Sequence, residues 1–405
     1  MKRFLFFIFT VFLVFQRPAA AADSPQAHHA MAKDPLPCGE PVLACASVAA
    51  PYFTKDGTLY LAFAAGGKVL VALSSDYGRH LTPPVAVTPE PARIDAGADS
   101  RPSIVVDARD RIILAWSVLK DRSYNAEAFF SRSTDGGSSF SPPRPLTGDP
   151  ASQRFPTLVL DRSGAVFAVW TDKRLAAAHG DAALAYAWSE DAGASFGPTR
   201  IVQSNVCECC RLAAALAGPG RPAVTWRNIF GGTTRDHALM TFPDPAADPA
   251  TPGPIRRVAE DEWRIDACPH HGPDLSVAAD GSYHVAWFTE GSARQGLQYA
   301  HSSDGGQSFS APRSIGNPER QAGRPSLLAA AGRIWLAWKE FDGKESTALV
   351  MVSGDGGTTW SEPRTVGHTA EASDRPLLAA GGGHVFLSWL TRAEGYRLLP
   401  VEDKP

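Results

Sequence analysis

STDGGSSF (Ser133–Phe140), SEDAGASF (Ser189–Phe196), SSDGGQSF (Ser302–Phe309) and SGDGGTTW (Ser353–Trp360) are four versions of one octapeptide, Ser-x-Asp-x-Gly-x-Ser/Thr-aromatic. A fifth, SSDYGRHL (Ser74–Leu81), keeps the Ser, the Asp and the Gly. The composition is that of a tight turn: Asp and Ser side chains bond nearby backbone amides, Gly supplies a positive φ, and a closing aromatic anchors the hairpin. Working outward from these turns, the chain repeats itself every 50 to 60 residues. A period of that length marks a repeat architecture.

Each repeat reads as a short apolar run, a turn, a second apolar run carrying an aromatic, a third run, and then the turn. The second-run aromatics are Phe63, Trp116, Trp170, Trp226, Trp287, Trp338 and Trp389, in contexts such as IILAWS, VFAVWT and HVAWFT. The runs are four to seven residues long, rich in Val, Leu, Ile and aromatics and bounded by Gly, Pro and Asp, which predicts strands. Radial repetition of four-stranded units predicts an all-β fold, a β-propeller over residues 46–405. Seven aromatics predict seven blades. In the fourth unit MTFPDPAADP (Met240–Pro249) stands in place of the turn, and the last unit has only three strand-like runs. The segment around Pro41–Ala44 is therefore expected to close the ring, as part of an N-terminal stretch over residues 23–45.

The octapeptides resemble the Asp-box, or bacterial neuraminidase repeat, of sialidase-like propellers, in four good copies at blade-like spacing. The resemblance implies that the turns join the third and fourth strands, on the face away from a ligand site. It also implies six blades as the alternative to seven.

The chain begins with Lys2 and Arg3, an apolar stretch from Phe4 to Phe15, and small residues before Asp23, the layout of a secretory signal peptide over residues 1–22. Twelve residues are too few for a membrane-spanning helix. Export to the periplasm or medium of a bacterium is expected, with no membrane span. Removal of Lys2, Arg3 and Arg17 leaves 36 basic residues against 42 acidic ones, so nucleic acid is not an expected partner.

Loops entering the inner strands and leaving the second strands share one face in a propeller. Entering loops carry Arg101 (DSRPS), Arg154 (SQRFP), Arg211 (CECCR), His271 (CPHHGP), Arg324 (AGRPS) and Arg375 (SDRPL), while Arg227 leaves a second strand. Guanidinium pairs bidentately with carboxylate or phosphate, so the ring can take a small anion or an acidic glycan. A residue repeated in successive units serves equally well as a pin between them.

Two loops break the repeat. VCECCR places Cys207, Cys209 and Cys210 before the inner strand of the fourth unit, and ACPHHGP places Cys268, His270 and His271 before that of the fifth. Neighbouring units would bring these donors together. Thiolate and imidazole suit copper or zinc. Structural disulfides are the alternative in an oxidising compartment, and a reactive thiol is a third reading. Cys38 and Cys45, seven residues apart, are expected to bridge.

The sialidase resemblance implies another function, hydrolysis of a carboxylate-bearing sugar. The family uses an arginine clamp, a tyrosine nucleophile backed by a glutamate, and an aspartate acid/base. Arg101, Arg154, Arg324 and Arg375 are available for the clamp; Tyr396 beside Glu394 and Asp172 are the nearest candidates for the rest. The Arg-Ile-Pro motif of the family is replaced here by DSRPS, and no tyrosine matches its nucleophile position. The catalytic residues stay unassigned.

Overall fold

Short strands between Gly-, Pro- and Asp-rich turns make the whole described chain β-structure. The computed structural model describes residues 42–176 and 181–402. All belong to one unit, Ala32–Pro405. The expected signal peptide and Cys38 lie outside the described residues. Among the described residues no helix is long and apolar enough to cross a membrane.

The strands form six antiparallel sheets, four of four strands, one of three and one of eight. The eight-stranded sheet is two meanders joined at one residue pair, Val206 with Asn228. In chain order there are thus seven meanders. Their first strands are β1 (Ala46–Phe53), β5 (Ser103–Val106), β9 (Gln153–Leu160), β13 (Ala213–Leu216), β17 (Asp274–Val277), β21 (Gly323–Ala330) and β25 (Leu377–Gly381). Each packs beside the next, and β25 packs beside β1. The three-stranded unit is the last, β25 with β26 (His384–Thr391) and β27 (Gly395–Pro400). Leu43–Cys45 is a 3-10 turn lying against β27. Pro41, the start of the expected closing strand, lies outside the described residues.

The apolar pattern explains this packing. The second strand of each unit is covered on both faces: every residue of Leu59–Ala65 and of Val166–Asp172 is buried. All seven second-run aromatics are buried, with Trp170 and Trp338 fully enclosed. Truncating such a side chain to Ala costs about 3–5 kcal/mol. In three units the indole N–H is served by a residue two positions on: Trp170 donates to Asp172, Trp226 to Asn228 and Trp338 to Glu340; Trp287 and Trp389 donate instead to Asp261 and to the Asp374 carbonyl. Each hydrophobic cluster is shared by consecutive units. One joins Trp226 of the fourth to Phe167 of the third. Another joins Leu390 of the last unit to Ala49, Leu61 and Phe63 of the first.

The repeated octapeptides fold alike, between the third and fourth strands. Ser133 Oγ donates to Asp135 at 2.8 Å and accepts from Gly137 N–H at 2.9 Å, while Asp135 accepts from Ser139 N–H at 3.0 Å. The turns at Ser189, Ser302, Ser353 and, in the degenerate copy, Ser74 repeat these contacts. Glycine is required at Gly193, where φ is +72° and a Cβ would stand 2.7 Å from Ile113 of the preceding unit. The turn therefore staples one unit to its neighbour.

Candidate functional site

The CECC segment lies between β12 (Arg200–Val206) and β13, and Cys268–His271 lies just before β17. Because β13 and β17 are adjacent, loops far apart in sequence meet at Cys209 and Cys268, 59 residues apart. Cys207 Sγ is 3.5 Å from both Cys209 Sγ and Cys210 Sγ. One atom from each of Cys207, Cys209 and Cys210 lies within 4.8 Å of the others, and the same holds for Cys209, Cys268 and His270. A disulfide needs about 2.05 Å, and all four cysteines are free thiols.

Backbone anchors hold the site. Cys207 N–H donates to Arg227 O at 3.0 Å, tying the first loop to β14 (Pro222–Phe230). Arg227 stacks over Trp263 at 4.4 Å and donates to the carbonyls of Arg235, His271 and Phe288 at 2.8–2.9 Å. Arg324 donates to the His270 carbonyl at 2.8 Å. Arg211 donates to Pro273 O at 2.7 Å and Pro325 O at 3.2 Å. Gly272 lets it lie there, since the atoms of Arg211 fill the space a Cβ would need.

The electrostatics single out Cys207. Hydrogen bonds from Cys209 and Cys210, aided by Arg227 and Arg235 against the cost of burial, hold its thiol well below the ordinary range. Arg235 Nη1 donates to its Sγ at 3.3 Å. Serving as donors to Cys207 pushes Cys209 up, and burial does the same to Cys210. Cys268 is lowered by its hydrogen bond from Cys209. The environment thus favours the thiolate form at Cys207 and Cys268 and the thiol form at Cys209 and Cys210, with the Arg235 guanidinium beside the Cys207 sulfur.

His271 falls in neither donor group. The backbone at His270 has φ +51°, and the next ring stacks on Phe288 at 4.2 Å. Burial, then Arg324, push His271 down to about 3, so its imidazole is neutral.

The arginines divide by what they touch. Arg154 grips Asp95 through two nitrogens at 2.8 and 3.2 Å, a pin between units. Arg101 donates to Ala49 O at 2.8 Å and lies 3.5 Å from Asp374. Arg324 pairs with Asp99, which also lies 3.7 Å from Arg211. These residues enter three units that are not neighbours, so their loops meet centrally. Burial would raise the Asp99 carboxyl, but Arg324 and Arg211 outweigh it and hold it down. Arg375 differs: it is 8% exposed, Nε has no partner, and among the described residues its guanidinium makes no hydrogen bond or ion pair.

Two further buried groups belong to this neighbourhood. Asp99 stands in the DSRPS stretch, two residues before Arg101, and that fixed acid was the available signal. His237 is fully buried with both ring nitrogens unpartnered, held neutral first by burial and then by Arg227. Its strand position opposite Arg227 marks it only as inward-facing. Of the sialidase-type candidates, Asp172 is buried and saturated by Trp170 and Arg174. Tyr396 is bonded by Ser388, and Glu394 accepts from Thr391 rather than backing the tyrosine.

No family model matches the chain, and no curated protein matches it. Solved structures do. A PL25 ulvan lyase bound to -[GlcA(1-4)Rha3S]- is 13% identical with a TM-score of 0.57, over 86% of this chain and 91% of its own. The polysaccharide lyase Uly1 is 10% identical with a TM-score of 0.56, over 87% and 88%. The Hadza microbial sialidase Hz136 is 15% identical with a TM-score of 0.52, over 86% and 74%. The chain therefore has a sialidase-like, all-β fold. At such identity the likeness speaks to fold alone.

Proposed function

We propose that this chain is an exported, closed seven-bladed sialidase-like propeller with Asp-box turns that binds a copper or zinc ion through Cys207, Cys209, Cys210, Cys268 and His270. One observation carries the reading. Four free thiols and an imidazole from two separate loops form two groups of three that share Cys209, each within ligand distance of one ion. Three thiolates at about 2.3 Å from one ion stand roughly 4 Å apart, close to the 3.5 Å separations of Cys207 from its neighbours. Closure of the ring is supported by β25 lying against β1 and by the cluster shared between first and last units. His271 is assigned to support of the loop rather than to the ion.

Elemental analysis of protein purified without an affinity-tag metal, beside a free-thiol count, tests the proposal. Bound copper or zinc that protects the thiols from alkylation supports it. Absence of metal with all thiols oxidised contradicts it.

A second reading is favoured by Arg375. A buried guanidinium without a hydrogen-bond partner is costly, and Arg211 and Arg101 add positive charge beside it, only partly opposed by Asp274 and Asp99. That arrangement suits the carboxylate of an acidic sugar, either as a bound ligand or as the substrate of a sialidase-type hydrolase. Release of fluorophore from a sialoside, abolished in Arg324→Ala, supports hydrolysis. Inactivity across several acidic glycosides contradicts it.

A further inference from the structure

We propose that the cluster is a two-ion Cu(I) site in which the Cys209 thiolate bridges one ion held by Cys207 and Cys210 to a second held by Cys268 and His270. This rests on the metal-binding reading above and adds its stoichiometry and metal. The donors fall into two groups of three that share Cys209, rather than one group of four. Closed zinc sites take four ligands, and open ones complete the set with water. Here Cys207, Cys209 and Cys210 are 1%, 3% and 2% exposed, so the first compartment is shut off from bulk solvent, which disfavours water as a fourth ligand. A soft monovalent ion content with three donors fits where zinc does not.

Charge points the same way. Four thiolates with two monovalent ions leave a net charge of −2, opposed by the guanidiniums of Arg235, on Cys207 Sγ, and Arg227. Two divalent ions would cancel the thiolates and remove that counter-charge from both guanidiniums, with Asp181 the remaining acid acting on Arg235. Glu208, the remaining charge in the segment, is occupied by Lys173 at 2.6 Å. On loading, every sulfur still carrying a proton releases it to solvent; Cys207, Cys210 and Cys268 each form one S–Cu bond, the bridging Cys209 forms two, and His270 gives a ring-nitrogen lone pair; copper stays Cu(I) and nothing is oxidised or reduced.

The test is anaerobic titration of the mature protein with Cu(I), in competition with a chromophoric chelator, read also by native mass spectrometry. Wild type is expected to bind two ions per chain. His270→Asn, which tolerates the left-handed backbone there, is expected to bind one. Cys209→Ser removes the bridge and is expected to bind neither ion at wild-type affinity, with circular dichroism confirming the fold. A wild type that binds one ion, unchanged in His270→Asn, overturns the two-ion inference and leaves the metal reading standing. A wild type that takes up no Cu(I) overturns both.

Discussion

Replacing Arg227 by Met tests whether the guanidinium beneath the thiol site holds the two loops together. The side chain is 1% exposed and donates to three carbonyls, one of them that of His271. Hydrogen bonds from a charged group are worth about 1.5–3 kcal/mol each, roughly 4.5–9 kcal/mol for three. Releasing a buried charge from its desolvation offsets several kcal/mol of that, and methionine preserves much of the packing over Trp263. The net loss is about 3 kcal/mol. At a urea slope of about 3 kcal/mol per molar, the unfolding midpoint falls by about 1 M. Metal should leave the folded variant faster, because the guanidinium holds the His271 carbonyl of the second loop, while the Cys207 amide stays bonded to the backbone carbonyl of residue 227 in both forms. Equilibrium urea unfolding followed by tryptophan fluorescence reads the first effect, and chelator competition the second. A midpoint within about 0.2 M of wild type, with unchanged metal release, would mean that the guanidinium does not hold the second loop in place.

Other outcomes follow from single contacts. Gly193→Ala meets both a positive φ and Ile113, so it should cost about 2–4 kcal/mol. Gly220→Ala, with φ +63° but open space, should cost only about 1–2 kcal/mol in the same denaturation assay. Asp135 is held down at about 2, first by the Ser139 hydroxyl and then by its amide. Its carboxylate therefore adds stability above about pH 4, its unfolded range, and loses it as pH falls toward 2. Thermal melts of wild type and Asp135→Asn should differ at pH 6 and converge near pH 2; a difference that grows on acidification would contradict the sign. Arg375→Met removes an unpaired buried charge and should raise stability by about 1–3 kcal/mol while abolishing retention of a carboxylate sugar. Destabilisation measured by calorimetry would mean that the guanidinium serves the fold.

Much of the fold was legible because its determinants are local and repeated. The Ser, Asp and Gly of each octapeptide act within eight residues, and each second-strand aromatic is buried in a cluster shared with an adjoining unit. The convergence of CECC and CPHH was legible too, since adjacent units place equivalent loops side by side. Which histidine joins the thiols was not: that depends on the left-handed backbone at His270, which a side-chain pattern does not encode. Nor did the arginine series reveal its division of labour. Arg154 and Arg375 occupy equivalent positions, yet one meets Asp95 and the other meets no acid, because the partners come from other units. Asp99 was missed for the same reason, its partners Arg211 and Arg324 lying 112 and 225 residues away in sequence.

The claim beneath the whole account is that sulfur from both loops reaches the same metal. Copper-edge X-ray absorption of the loaded protein measures this directly. The expected shell is dominated by sulfur, with a minor nitrogen contribution lost in His270→Asn and sulfur lost in Cys268→Ser. A shell of nitrogen and oxygen alone, or one that neither substitution changes, would contradict it.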